Sequence, residues 1–372
     1  MSVTKLKKRL PRLDWILTGS TLLLLSLGLM ILFAINFKDP SLAQDFSPWQ
    51  QLIYAVIGVG LMGLLARVDY RQWRRFGKFW YLAGIGLLIL VLAIGKTALG
   101  ATRAIDLGIF QFQPSEFMKL GLIMALAIYL GRQAEQLRRW PKLLLSMVLV
   151  AVPIALIAIQ PDFGSAMVAL FIWAAMVWVS PASKKQLTVL LVAALVMVPL
   201  VAANLQPYQR ERLTTFLNPE TDPRGAGYNV VQSTIAVGSG GLWGKGLGSG
   251  TQSQLNFLPS QHTDFVFAVL AEKLGFLGAA LAIILFGLLI WRVLAIAWHS
   301  GELFGLLLGM GIAGFLLIHV VVNIGMNLGV LPVTGIPLPL LSYGGTNLII
   351  TLMSVGVMLS IYRHRTTLEF KS

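Results

Sequence analysis

The sequence predicts an all-α polytopic membrane protein with ten transmembrane helices, and three observations carry that reading. Apolar residues make up 56% of the 372-residue chain and charged residues only 12%, well below the roughly 25% usual in soluble domains. Ten stretches approach the roughly 20 apolar residues that a helix needs to cross a bilayer. The basic residues gather in short segments between those stretches, as they do in proteins oriented by positive charge on the cytoplasmic side.

The spans fall at 15–35, 51–66, 79–95, 116–131, 143–159, 163–179, 186–203, 265–291, 303–326 and 342–362. The first run is too long for the core of a signal peptide and lacks a small-residue cleavage pattern, so it is expected to remain as a helix. Gln160, Pro161 and Asp162 break the fifth from the sixth, which predicts a tight turn. Ten spans put both termini on one side. Basic clusters at 5–12, 67–78, 132–142 and 180–185 make that side cytoplasmic.

The net charge of +14 therefore belongs to topology rather than to nucleic acid, for which no basic stretch is interleaved with exposed aromatics. Cysteine is absent, which removes disulfides, thiolate nucleophiles and cysteine metal sites.

Residues 204–263 form the one long connection, external by the same count, and a loop of that length is expected to be a functional element. Residues 206–223 are polar. Residues 228–237 are weakly amphipathic and are expected to lie on or dip into the outer leaflet. The glycine-rich run 238–250 reads either as a flexible linker or as a backbone nest for an anionic headgroup. It is not a P-loop, because Ser239 and Gly246 stand where that motif needs Gly and Ser or Thr. A shorter external connection, 96–114, alternates apolar residues over 105–112 and carries Arg103 and Asp106. Ser115 is the expected N-cap of the helix that follows.

Ionisable groups inside spans are costly, so each is a functional candidate. Glu116 and Lys119 share a face three residues apart. Glu272 and Lys273 lie roughly 12 Å beyond Asp264 along the eighth span at 1.5 Å per residue. They either face a polar cavity or pair with Glu116 and Lys119. His319, Asn323 and Asn327 form one stripe, read as interhelical hydrogen bonding rather than a metal site. Asp162 either caps the sixth helix or faces the external cavity.

Asp264 stands at the junction of the loop and the eighth span. It is either a capping carboxylate favoured by the helix dipole or a general base among Arg103, Arg210, Arg212, Lys245 and His262. One base with many cations suits a sugar leaving with pyrophosphate, which needs no general acid because cations neutralise the departing charge. Hydrolysis of an ordinary glycoside needs a second carboxylate.

Four stretches carry a resemblance: GKGLGSGTQSQLNFLPSQHTDFVFAVLAEKLG at 244–275, FQPSEFMKL at 112–120, QPDFGSA at 160–166 and MNLGVLPVTGIPLPLLSYGGTN at 326–347. The chain resembles the SEDS family (shape, elongation, division and sporulation) over nearly its whole length. Its PVTGIPLPLLSYGG stretch is similar to the RodA branch, whose division paralogue FtsW usually carries TKG before the LPL. The resemblance implies a peptidoglycan glycosyltransferase that polymerises lipid II on the outer face of the cytoplasmic membrane, beside a class B penicillin-binding transpeptidase and other elongation-complex proteins.

It also implies that Asp264 is the catalytic residue, that Glu116 and Lys119 are functionally important, and that Arg103 is the loop arginine of the family. Ala104 departs from the aromatic residue common there. The mechanism expected is inverting transfer, with Arg103, Arg210 and Lys119 holding pyrophosphate. A divalent cation, Mg or Mn, is the one cofactor this chemistry invites. The rival readings are a lipid II flippase and a non-catalytic scaffold for the transpeptidase.

Overall fold

The computed structural model describes residues 13–36, 46–98, 101–106, 111–203, 207–218, 225–254, 257–258 and 260–365. Within them, helices α1 (Trp15–Asn36), α2 (Pro48–Arg67), α3 (Trp73–Ile94), α4 (Pro114–Arg132), α5 (Trp140–Ile159), α6 (Phe163–Val179) and α7 (Lys184–Ala203) coincide with the first seven apolar stretches. Helices α8 (Pro207–Leu217), α9 (Ala226–Ser239) and α10 (Thr251–Gln254) lie in the long connection. The bundle is completed by α11 (Val266–Trp298), α12 (Leu303–Asn327) and α13 (Gly345–His364). Eight of the helical segments are long and apolar enough to cross a membrane, and α6 is shorter.

Helices α4, α12 and α13 are buried on most of their surface, whereas α2, α3 and α5 turn large apolar faces outward. An apolar exterior is what lipid requires, so the inside of this bundle is distinguished by its polar and small residues. Gly356 of α13 shows the second kind: a Cβ there would meet the backbone of Met62, so only glycine lets α2 and α13 approach so closely.

The connection at 96–112 is a small antiparallel sheet, β1 (Lys96–Ala98), β2 (Ala101–Asp106) and β3 (Gln111–Phe112), with Ile105 opposite Phe112. The alternation over 105–112 is thus a hairpin, its 107–110 portion lying outside the described residues. Pro153 lies inside α5 and has no N–H for the carbonyl of Leu149. The Tyr81 hydroxyl of α3 donates to that carbonyl at 2.8 Å and restores the missing bond.

Three expectations are corrected here. The α4 N-cap is Gln113, with Pro114 at the first turn, so Ser115 is already inside the helix. Residues 228–237 are not a free amphipathic segment, although Val231 and Ile235 stay exposed. They form most of α9, whose Val230, Ser233 and Ala236 are buried against α11 and α12, where the Ser233 hydroxyl donates to the Asn327 carbonyl at 2.9 Å. The eighth span is interrupted at Gly275 (φ 67°, ψ −166°), a conformation only glycine adopts readily.

Candidate active site

The site is built from the turn at 260–265, the loop at 331–344 and the inward face of α12. Ser260 holds a positive φ of 52°, unusual for a residue with a side chain, and its carbonyl accepts from the amides of Thr263, Asp264 and Phe265. Strain of this kind persists only where surroundings hold it. They do so carbonyl by carbonyl. His262 O accepts from the Tyr343 amide at 2.8 Å and Thr263 O from the Ser342 hydroxyl at 2.6 Å. Asp264 O accepts from both Asn323 Nδ2 and Asn327 Nδ2 at 3.0 Å.

Asp264 stands just before the start of α11. The N-cap of α11 is Phe265, which makes no side-chain cap bond, and the Ala268 amide in the first turn donates to Asn327 Oδ1 at 3.0 Å. Asp264 is only half-buried. A Cβ placed on Gly335 (φ +73°) would lie 3.8 Å from its Oδ2, so the 331–344 loop passes within van der Waals reach of the carboxylate.

The α12 stripe behaves as interhelical hydrogen bonding. Asn323 also donates to Ile336 O at 2.8 Å, and His319 Nδ1 to Pro337 O at 2.9 Å. That second bond fixes the histidine proton on Nδ1, leaving Nε2 to accept from Lys119 Nζ at 3.1 Å. Lys119 and Glu116 form a 2.6 Å ion pair with side chains 3% and 1% exposed, and Asn347 Nδ2 donates to the other Glu116 oxygen at 3.0 Å. A buried pair is tolerable only when further hydrogen bonds satisfy both partners, and these do. Lys119 therefore sits in the core behind the 331–344 loop and not at the surface as a pyrophosphate ligand.

Glu272 and Lys273 do not meet that pair. Both are buried, and both hold the glycine-rich run. Glu272 accepts from the amides of Gln252 and Ser253 at 2.9 and 3.0 Å and from Lys245 Nζ at 3.4 Å; Lys273 Nζ donates to Leu247 O at 2.9 Å. The backbone closes the clasp, with the amides of Lys245 and Gly246 on the carbonyls of Glu272 and Lys273, and the Phe276 amide on Gly241 O. The run is thus no free linker: the amides of Gly240, Gly241, Gly244, Lys245, Gly246 and Ser249 go to backbone carbonyls, and Glu272 holds the amides of Gln252 and Ser253 just after it. Lys245, tied also to Ser239 and Thr251, is part of this clasp rather than of the Asp264 surroundings.

Of the remaining cations, α8 brings Arg212 to the site. Its Nη1 donates to Thr334 O at 3.2 Å, one residue before Gly335. Arg210 is exposed and turns to Ala203 O instead. The Arg103 side chain lies outside the described residues, although its backbone is in β2. His262 is stacked on Phe46, centroids 4.5 Å apart, and edge-on to Tyr343, which makes it a wall of the turn. The Tyr343 hydroxyl donates to Gln50 Oε1 at 2.9 Å. Asp162 caps α6 through the Ser165 amide at 3.1 Å and accepts from the Ser115 hydroxyl at 3.5 Å.

The sequence gives no role to Asn347, Ser342 or Gln51: Asn347 ties α13 to α4, Ser342 ties the 331–344 loop to the turn, and Gln51 ties that loop to α2. Their only sequence signal is that they are polar residues in or beside apolar spans.

Residues 14–367 match the cell cycle protein family of FtsW, RodA and SpoVE. The chain belongs to this family, the SEDS proteins. Among its relatives, the peptidoglycan glycosyltransferase MrdB of Escherichia coli K12 is 39% identical over 353 residues, 94% of each chain. A probable peptidoglycan glycosyltransferase FtsW of Coxiella burnetii is 41% identical over 350 residues, 92% of this chain and 94% of the other. A chain from a solved structure described as the structural coordination of polymerization and crosslinking by a peptidoglycan synthase complex superposes with a TM-score of 0.81 at 39% identity. The match covers 95% of this chain and 99% of that one.

Proposed function

We propose that this SEDS protein is a RodA-type peptidoglycan glycosyltransferase that polymerises lipid II during cell elongation. The observation that carries the reading is the half-buried carboxylate of Asp264 on a turn whose three successive carbonyls are anchored. Its relatives' names support the activity.

In the proposed step Asp264 takes the proton of the acceptor GlcNAc 4-hydroxyl as that oxygen bonds to the anomeric carbon of the donor MurNAc. The bond from that carbon to the pyrophosphate oxygen breaks with inversion, and undecaprenyl pyrophosphate leaves with the electron pair. Arg212, at the rim, is placed to meet the departing charge; Arg103 is assigned the same work from the family resemblance alone. Among the described residues no three His, Asp or Glu side chains gather to hold a metal ion. One carboxylate with substrate phosphates is an arrangement Mg commonly takes, so Asp264 and the pyrophosphate are what would hold Mg or Mn.

Positive charge near the termini supports a cytoplasmic location for both ends and an external active site. The solved complex supports a class B penicillin-binding transpeptidase as partner, with other elongation proteins around it. The elongation role rests on the PVTGIPLPLL stretch. Complementation separates the branches: rescue of rod shape rather than division in a depleted cell is expected.

The test of activity is the purified protein with its transpeptidase on labelled lipid II in vesicles. Glycan strands are expected, falling roughly 10²–10⁴-fold in Asp264→Asn. Transport of lipid II without polymer would favour the flippase. Complex formation and normal cell shape with Asp264→Asn would favour the scaffold.

A further inference from the structure

At the end of the bundle opposite Asp264, the start of α3, the end of α4 and the middle of α5 leave a cleft of about 330 Å³, within the usual range for ligand pockets. Its mouth carries two cations, Lys78 and Arg132. Both are exposed, and neither takes part in an ion pair among the described residues.

The interior is apolar. Tyr81 and Tyr129 present their rings, because their hydroxyls already donate at 2.8 Å to Leu149 O and Lys142 O of α5. One polar atom is left over: Gln133 is among the residues that line this cleft, and its Oε1, buried just behind the wall, has no hydrogen-bond partner among the described residues. A buried amide oxygen without a donor is costly, and it calls for a hydroxyl or N–H. Two cations, one acceptor and an apolar slot open to lipid together describe a phosphodiester, a hydroxylated headgroup and an acyl chain. Basic pockets between transmembrane helices are known to take anionic headgroups.

We propose that this cleft binds an anionic glycerophospholipid. Its phosphate lies between Lys78 and Arg132, a headgroup hydroxyl donates to Gln133 Oε1, and one acyl chain follows Leu82 and Ile128. The proposal is independent of the chemistry at Asp264.

Native mass spectrometry of the full-length protein in detergent, titrated with phosphatidylglycerol, phosphatidic acid and phosphatidylcholine, tests it. Phosphatidylglycerol is expected to bind tightest. The double variant Lys78→Gln, Arg132→Gln should hold it roughly 30-fold more weakly, equivalent to about 2 kcal/mol at 1.4 kcal/mol per tenfold. Because both residues are exposed, the variant keeps the core intact. Gln133→Leu should lose the preference over phosphatidic acid, which has no headgroup hydroxyl, while keeping the preference over phosphatidylcholine. Equal retention of phosphatidylcholine by the unaltered protein, or an undiminished preference in the double variant, would overturn the proposal. So would glycerol 3-phosphate competing as well as the lipid, since the occupant would then be a soluble phosphate.

Discussion

Asn323 Nδ2 lies 3.0 Å from the backbone carbonyl of Asp264, and the same amide reaches Ile336 O at 2.8 Å. One side chain of α12 therefore ties the turn that carries the carboxylate to the loop that faces it. Asn323→Leu removes both bonds but leaves Asn327 on the Asp264 carbonyl. We expect a stability loss of about 1–3 kcal/mol for the unmatched Ile336 carbonyl. Polymerisation of lipid II should fall by roughly 10²-fold from misplacement of the carboxylate. A rate unchanged beside a lowered Tm would show that Asn323 holds the fold and not the turn.

The pair Glu116 and Lys119 should behave as a unit. Lys119→Met leaves a buried carboxylate with only Asn347 and is expected to cost about 3–5 kcal/mol, read as a large drop in Tm in detergent. Adding Glu116→Gln should restore part of that loss, because neither charge is then left alone. A double variant less stable than the single would contradict the network.

The glycine clasp offers a test away from the chemistry. Glu272→Gln gives up the charge that accepts from two amides and Lys245, and residues 240–253 should become several-fold more accessible to protease or hydrogen exchange. Gly244→Ala should be worse. Gly244 has φ +82°, and a Cβ would press into the carbonyl of Lys273. Equal protection in both variants would mean that the run is held by something other than α11.

Because the chain has no cysteine, sidedness can be read with single introduced ones. Trp243→Cys, at a side chain 80% exposed, should react with an impermeant maleimide on intact spheroplasts. Arg138→Cys should react only after lysis. The reverse pattern would place Asp264 on the cytoplasmic side and end the proposed function.

Much of this was legible beforehand. Asp264, the α12 stripe and the shared face of Glu116 and Lys119 could be picked out because a polar group in or beside an apolar span is conspicuous. Misread were the groups whose meaning depends on a distant neighbour. Lys245 looked like a ligand for phosphate and is bound to Glu272, 27 residues away. Residues 228–237 gave no sign in sequence that Val230, Ser233 and Ala236 are buried against α11 and α12.

The sequence by itself determined the helices, since a backbone in lipid must satisfy its hydrogen bonds within each segment and a bilayer sets the segment length. Tertiary structure alone decided which polar side chain answers which. Spacing of three or four residues places a group on a helix face, but the partner across that face comes from another segment, as Asn347 does for Glu116 and Asn323 for Asp264.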